Sequence, residues 1–166
     1  DAMRGKLGRY FAIGTTSSRR GYYFAYPVRK EEEILGAVAI KIDIDSVEQK
    51  WAHRDESFLV SDPDGVVFIT TNPEWRYKTL RPLPPDVLKS IEENKRYPDA
   101  TLSPLAESIN IYDDDVQILT IDGGKDTGKK RVIKQTQVMP HAGWDVHILS
   151  DTRELKTRVL LVNILI

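Results

Sequence analysis

The sequence contains no cysteine. That one absence removes disulfide frameworks, thiolate catalysis and cysteine-based zinc or iron–sulfur sites. It does not choose a compartment, because cytoplasmic proteins and disulfide-free periplasmic domains both fit. An excess of one charge is also missing: 24 Lys and Arg stand against 25 Asp and Glu, a formal net charge of −1. The basic residues are interspersed with acids and form no stripe, so nothing draws the chain to nucleic acid. Imidazoles are few. His53, His141 and His147 are the complete set, and no two stand at the helical spacing of a zinc site. A long hydrophobic run is missing too. The closing VLLVNILI, directly after DTRELKTR, is far shorter than the ~20 residues that cross a bilayer. It reads either as a buried helix turn or strand, or as the first turns of a membrane helix with Arg153, Lys156 and Arg158 at the interface. The second is the expectation carried forward. What is present is 40% hydrophobic and 30% charged residues, the balance of a cored, soluble region with room for one medium domain or a small domain plus part of another.

Tyr10 to Ile13 and Tyr22 to Val28 are aromatic and apolar runs separated by GTTSSRRG, the pattern of two strands around a Gly-bounded polar loop. LGAVAIKIDID alternates as a third strand, with Val38, Ile40, Ile42 and Ile44 on one face and Ala37, Ala39, Lys41 and Asp43 on the other. Asp45 to Glu48 has capping-box spacing and predicts a short connecting helix through Trp51. ESFLVSD and VVFITT flank Pro63-Asp64-Gly65, in which Pro fixes φ and Gly permits a positive one. Pro84-Pro85-Asp86 opens a helix to about Lys95. Strands follow near 108–121 and 130–139 around the hairpin GGKDTGKK, and GWDVHILSD makes a last strand. This order is α+β.

Motifs with other meanings are weak. Asp113-Asp114-Asp115 lacks the alternating ligands and closing Glu of a calcium loop. GGKDTGKK is not a P-loop and joins strands. Ser17 with a distant His and Asp has no nucleophile elbow around it. Trp75 and Trp144 read as core. No cofactor is expected.

GRYFAIGTTSSRRGYYFAYPV, GAVAIKIDID, DESFLVSDPDGVVFITTNPEWRYKTL and MPHAGWDVHILSDT together resemble the periplasmic region of C4-dicarboxylate sensor histidine kinases of the DctB type. The resemblance covers nearly the whole chain. It implies α+β architecture of tandem PAS-like (Cache/PDC) modules with antiparallel sheets, the distal one incomplete. On that map residues 1–45 are the C-terminal part of a membrane-distal ligand-binding module and 46–55 a linker helix. Residues 56–151 are a membrane-proximal module, and 152–166 lead into a truncated transmembrane segment. Family members carry an Arg-Pro-Tyr-Phe segment that contributes to carboxylate binding just before the stretch where this chain begins. The resemblance further implies a small dicarboxylate ligand, a homodimeric receptor, anchorage in the bacterial inner membrane and no catalysis in this region.

A four-carbon dicarboxylate needs donors and positive charge at two ends. Gly14 lets backbone approach closely, and Thr15, Thr16 and Ser17 offer hydroxyls beside backbone N–H groups. By itself GTTS is equally an ordinary polar turn; the resemblance places it at the ligand. Lys41 sits mid-strand among apolar neighbours, as a solvent-facing residue, a partner of Asp43, or, as the resemblance implies, the cation for one carboxylate. Ala37 and Ala39 would leave room beside it. Tyr22 and Tyr23 alternate, so only one can face the pocket, and Tyr22 is the expectation. Arg19 and Arg20 are expected at a solvated loop tip. The alternatives are a Cache-type sensor of another small organic anion feeding a chemoreceptor or cyclase, a small hydrolase using Ser17 or His141, and a structural spacer.

Overall fold

The computed structural model describes residues 1–13, 19–51, 57–98, 100–111, 116–122 and 128–153. The chain divides into two compact units: Asp1–Lys50 with Pro84–Ala100, and Trp51–Leu83 with Thr101–Ile166.

In the first unit a short 3-10 turn, Ala2–Arg4, precedes strands β1 (Gly8–Ile13), β2 (Arg20–Lys30) and β3 (Glu33–Asp43). They pair antiparallel in chain order, as the alternation of LGAVAIKIDID and the aromatic runs before it require. The face of β3 that carries Val38, Ile40 and Ile42 is covered only at its far end. Ile42 is half-buried, but Val38 and Ile40 are 55% and 65% exposed. β3 is the sheet's edge, and the described part of this unit reaches only its α1 end.

Helix α1 (Ile44–Trp51) starts earlier than the capping box predicts. The Asp43 carboxylate accepts the Asp45 N–H at 3.1 Å and the Ser46 hydroxyl at 3.0 Å, satisfying the open helix end from one position further back. Ile44, expected on the strand, is therefore the first helical residue and is fully buried. Helix α2 (Pro85–Glu93) follows the proline signal. It groups with the first unit, whereas the resemblance implies a second module running through all of 56–151. The reason is aromatic: Phe11 stacks on Tyr97 with centroids 5.1 Å apart, and the Tyr10 hydroxyl donates to the Asn94 carbonyl at 2.7 Å.

The second unit is built on β4 (Ser57–Ser61), β5 (Val67–Thr70), β8 (Ala106–Ile111), β9 (Val116–Asp122), β10 (Lys129–Met139) and β11 (Trp144–Asp151). They form one antiparallel sheet in the order β5-β4-β11-β10-β9-β8. Two short strands, β6 (Lys78–Thr79) and β7 (Ser103–Pro104), pair parallel beside it. The Pro63-Asp64-Gly65 turn forms as read. Gly65 takes φ 88°, and the Asp62 carboxylate accepts the N–H groups of Asp64 and Val66 at 3.0 and 2.9 Å. The core gathers Leu59, Val67, Trp75, Leu119, Val132 and Leu149 over one end of the sheet. Trp144 packs instead on Phe68, with centroids 5.7 Å apart. Among the described residues no helix is long and apolar enough to cross a membrane, and the closing apolar segment lies outside them.

Candidate functional site

Directly opposed residues of neighbouring strands share a sheet face. In the first unit Tyr10 opposes Tyr23 and Tyr23 opposes Lys41, so one row crosses all three strands. Gly21, Ala25, Ala37, Ala39 and Asp43 lie on the same face. Lys41 is exposed, with its ammonium 5.8 Å from the Tyr23 ring centroid, a cation–π contact that steadies the charge without neutralising it. Asp43 is engaged elsewhere. Besides capping α1 it meets Arg19 at 3.9 Å, and the Ser46 hydroxyl leads the interactions that hold its carboxyl below the usual range. Small side chains surround this cation. An added Cβ at Gly21 would stand 2.4 Å from Lys41 Cε and 3.1 Å from the Tyr23 ring.

Tyr22 does not join this face. It is buried on the opposite side of the sheet against Phe24, with ring centroids 5.1 Å apart. Period-two alternation allows only one of the tyrosines beside Lys41, and packing takes Tyr22 into the core and leaves Tyr23 with the lysine. Gly14, Thr15, Thr16 and Ser17 lie outside the described residues. The residues flanking that segment, Ile13 and Arg20, pair at the Lys41 end of the sheet.

Arg20 overturns the expectation of a solvated tip. It is 6% exposed, and its guanidinium donates to both Glu48 oxygens at 3.1 and 2.5 Å and to Asp45 at 2.7 Å. Burial opposes the charge, but the bonds and charges of Glu48 and Asp45 more than offset it, and the guanidinium stays protonated. Arg20 shares the Tyr22 face, where α1 presents Glu48. Arg19, one residue away, is exposed.

The second unit holds a polar cluster assembled from three strands. Buried His147 bonds through Nε2 to the Ser61 hydroxyl at 3.0 Å and through Nδ1 to the Thr136 hydroxyl at 2.9 Å. Burial first, and the charge of Lys134 second, push its pKa down to about 3, so the ring is neutral near pH 7. Each ring nitrogen meets a hydroxyl, and among the described residues no carboxylate orients the ring as one orients a catalytic histidine. His141, the histidine of the hydrolase alternative, is exposed in the turn before β11. The cluster has a sequence signal: β10 places Lys134 and Thr136 at inward positions in phase with Val132.

No family model matches the chain. It is 32% identical over 148 residues, 89% of its length, to the C4-dicarboxylate transport sensor protein DctB of Pseudomonas aeruginosa. Over 104 residues, 63% of its length, it is 36% identical to the protein of the same name from Rhizobium meliloti. The chain spans only 21% and 17% of those relatives. The V. cholerae histidine kinase DctB sensor domain matches with TM-score 0.72 and 28% identity, over 91% of this chain and 58% of that one. The ligand-binding domain of the Pseudomonas fluorescens chemoreceptor CtaA, solved with L-isoleucine, matches at TM-score 0.56 and 16% identity, over 92% of this chain and 54% of that one, a likeness of fold.

Proposed function

We propose that this chain, a DctB-type sensor region by sequence and by fold, binds C4-dicarboxylates such as succinate, malate or fumarate in its first unit. The observation that carries the reading is Lys41: an exposed lysine in the middle of edge strand β3, flanked by Tyr23 and small residues, with Asp43 occupied elsewhere. One carboxylate is received by Lys41, with Tyr23 and Tyr10 beside it. The other is received by the Gly14, Thr15, Thr16 and Ser17 segment, whose flanks meet at the same end of the sheet. Tyr23 replaces Tyr22 in the pocket.

The role is recognition without catalysis. The first unit is the membrane-distal module of a periplasmic region, and the second is the membrane-proximal module that passes the signal towards the bilayer. The parent receptor is a homodimeric, inner-membrane histidine kinase. A ligand biases the output only through different affinity for the receptor's two states.

Isothermal titration of the sensing region with succinate, malate and fumarate tests this reading. Lys41→Ala is expected to weaken binding roughly 10- to 100-fold, the worth of a hydrogen bond to a charged group, and to leave the ligand-free thermal midpoint in place. Unchanged succinate affinity in that variant would sink the assignment.

A further inference from the structure

The end of the second unit's sheet away from its core is lined differently from its core end. Leu59, Leu119, Val132 and Leu149 face the core on β4, β9, β10 and β11. Moving along the same face, the next positions are Ser61, Gln117, Lys134, Thr136, Asp145 and His147. A cavity of about 530 Å³ opens over them, within the range of small-molecule sites. Polar residues on a core face lose hydration unless something answers them.

His147, Ser61 and Thr136 answer one another. Lys134 is different. It is 7% exposed, it lines the cavity, and among the described residues its ammonium has no hydrogen-bond acceptor and no carboxylate within 4 Å. Asp145 on β11 attracts it from further off, and Arg81 at the rim repels it, so burial dominates and its pKa is lowered. Asp62, the other acid in the lining, has one oxygen committed to the N–H groups of the β4–β5 turn.

We infer that the second unit carries a separate ligand site for a small monocarboxylate with a short hydrocarbon chain, its carboxylate received by Lys134. One ammonium, carried by a buried lysine and facing the cavity, suits a single negative charge, and the two acids in the lining count against a dianion. The hydrocarbon end has its own surface, because Ile109, Ile111 and Val138 border the cavity and are 38%, 70% and 51% exposed. The chain would thus take two classes of anion in two units, and the lysine of one site has no part in the other.

The test titrates the chain with acetate, propionate and butyrate, with succinate as comparator, following backbone amides by NMR. Propionate or butyrate is expected to shift the amides of Lys134, Thr136 and His147. Lys134→Met should weaken that binding roughly 10- to 100-fold without lowering the thermal midpoint, since a methionine fills the space with no buried charge. Arg81→Gln should weaken it less. Lys41→Ala should leave it unchanged, which separates this site from the dicarboxylate site. The inference is overturned if no monocarboxylate shifts those amides up to about 50 mM, an affinity too weak to matter. It is equally overturned if Lys134→Met binds as well as the parent chain, or if succinate binds there as tightly as propionate.

Discussion

Lowering the pH from about 7 to about 5 protonates His147 in the unfolded chain but not in the folded one. Its ordinary pKa of 6.5 falls to about 3 in the fold, where burial and Lys134 disfavour the imidazolium. Between those values the unfolded chain binds more protons, so stability rises with pH. The contribution is complete above 6.5 and is lost progressively as pH falls towards 3. Over the interval from pH 7 to pH 5 the loss works out at about 2 kcal/mol, because the folded state stays neutral throughout. Urea unfolding followed by tryptophan fluorescence reads it cleanly, since Trp51, Trp75 and Trp144 all belong to the second unit. His147→Gln supplies the control: a side-chain amide can still bond hydroxyls but cannot titrate. Every other group is common to both proteins and cancels in the difference. The parent chain should therefore lose about 2 kcal/mol more than His147→Gln between the two pH values. Equal losses would refute the argument and place a hydrated, titratable imidazole in solution contact.

Arg20→Met should destabilise the first unit by about 3 kcal/mol, because buried Glu48 loses its guanidinium; Arg20→Met with Glu48→Leu should recover most of this in thermal denaturation. Gly21→Ala should lower succinate affinity more than it lowers stability, because the new methyl displaces chiefly the flexible Lys41 side chain and presses only lightly on the Tyr23 ring; calorimetry beside a melting curve separates the two. Phe11→Ala should cost about 3–4 kcal/mol in the first unit through loss of a buried ring stacked on Tyr97, and loosened proteolysis of 84–100 would accompany it.

The sequence by itself determined the strands, the turn at Gly65, the proline-led start of α2 and the shared face of Ala37, Ala39, Lys41 and Asp43. Each follows from period, φ restriction or capping chemistry within a few residues. It also carried the DctB resemblance, which the relatives and the solved sensor domain support. What needed the tertiary structure was every choice made across strands. Alternation showed that one of Tyr22 and Tyr23 must stand with Lys41, but only the register and the packing on the Phe24 side selected Tyr23. Local charge placed Arg20 in water, and only α1 returning over the sheet brought Glu48 to bury it. The joining of α2 to the first unit rests on Phe11 and Tyr97, 86 positions apart in the chain. Lys134 looked like one more charged residue on a strand. Its inward position became visible once β9, β10 and β11 aligned Gln117, Lys134, Thr136 and His147 on one face. Local sequence fixes which way a side chain can alternate. Which side is the inside depends on what arrives from elsewhere in the chain to cover it.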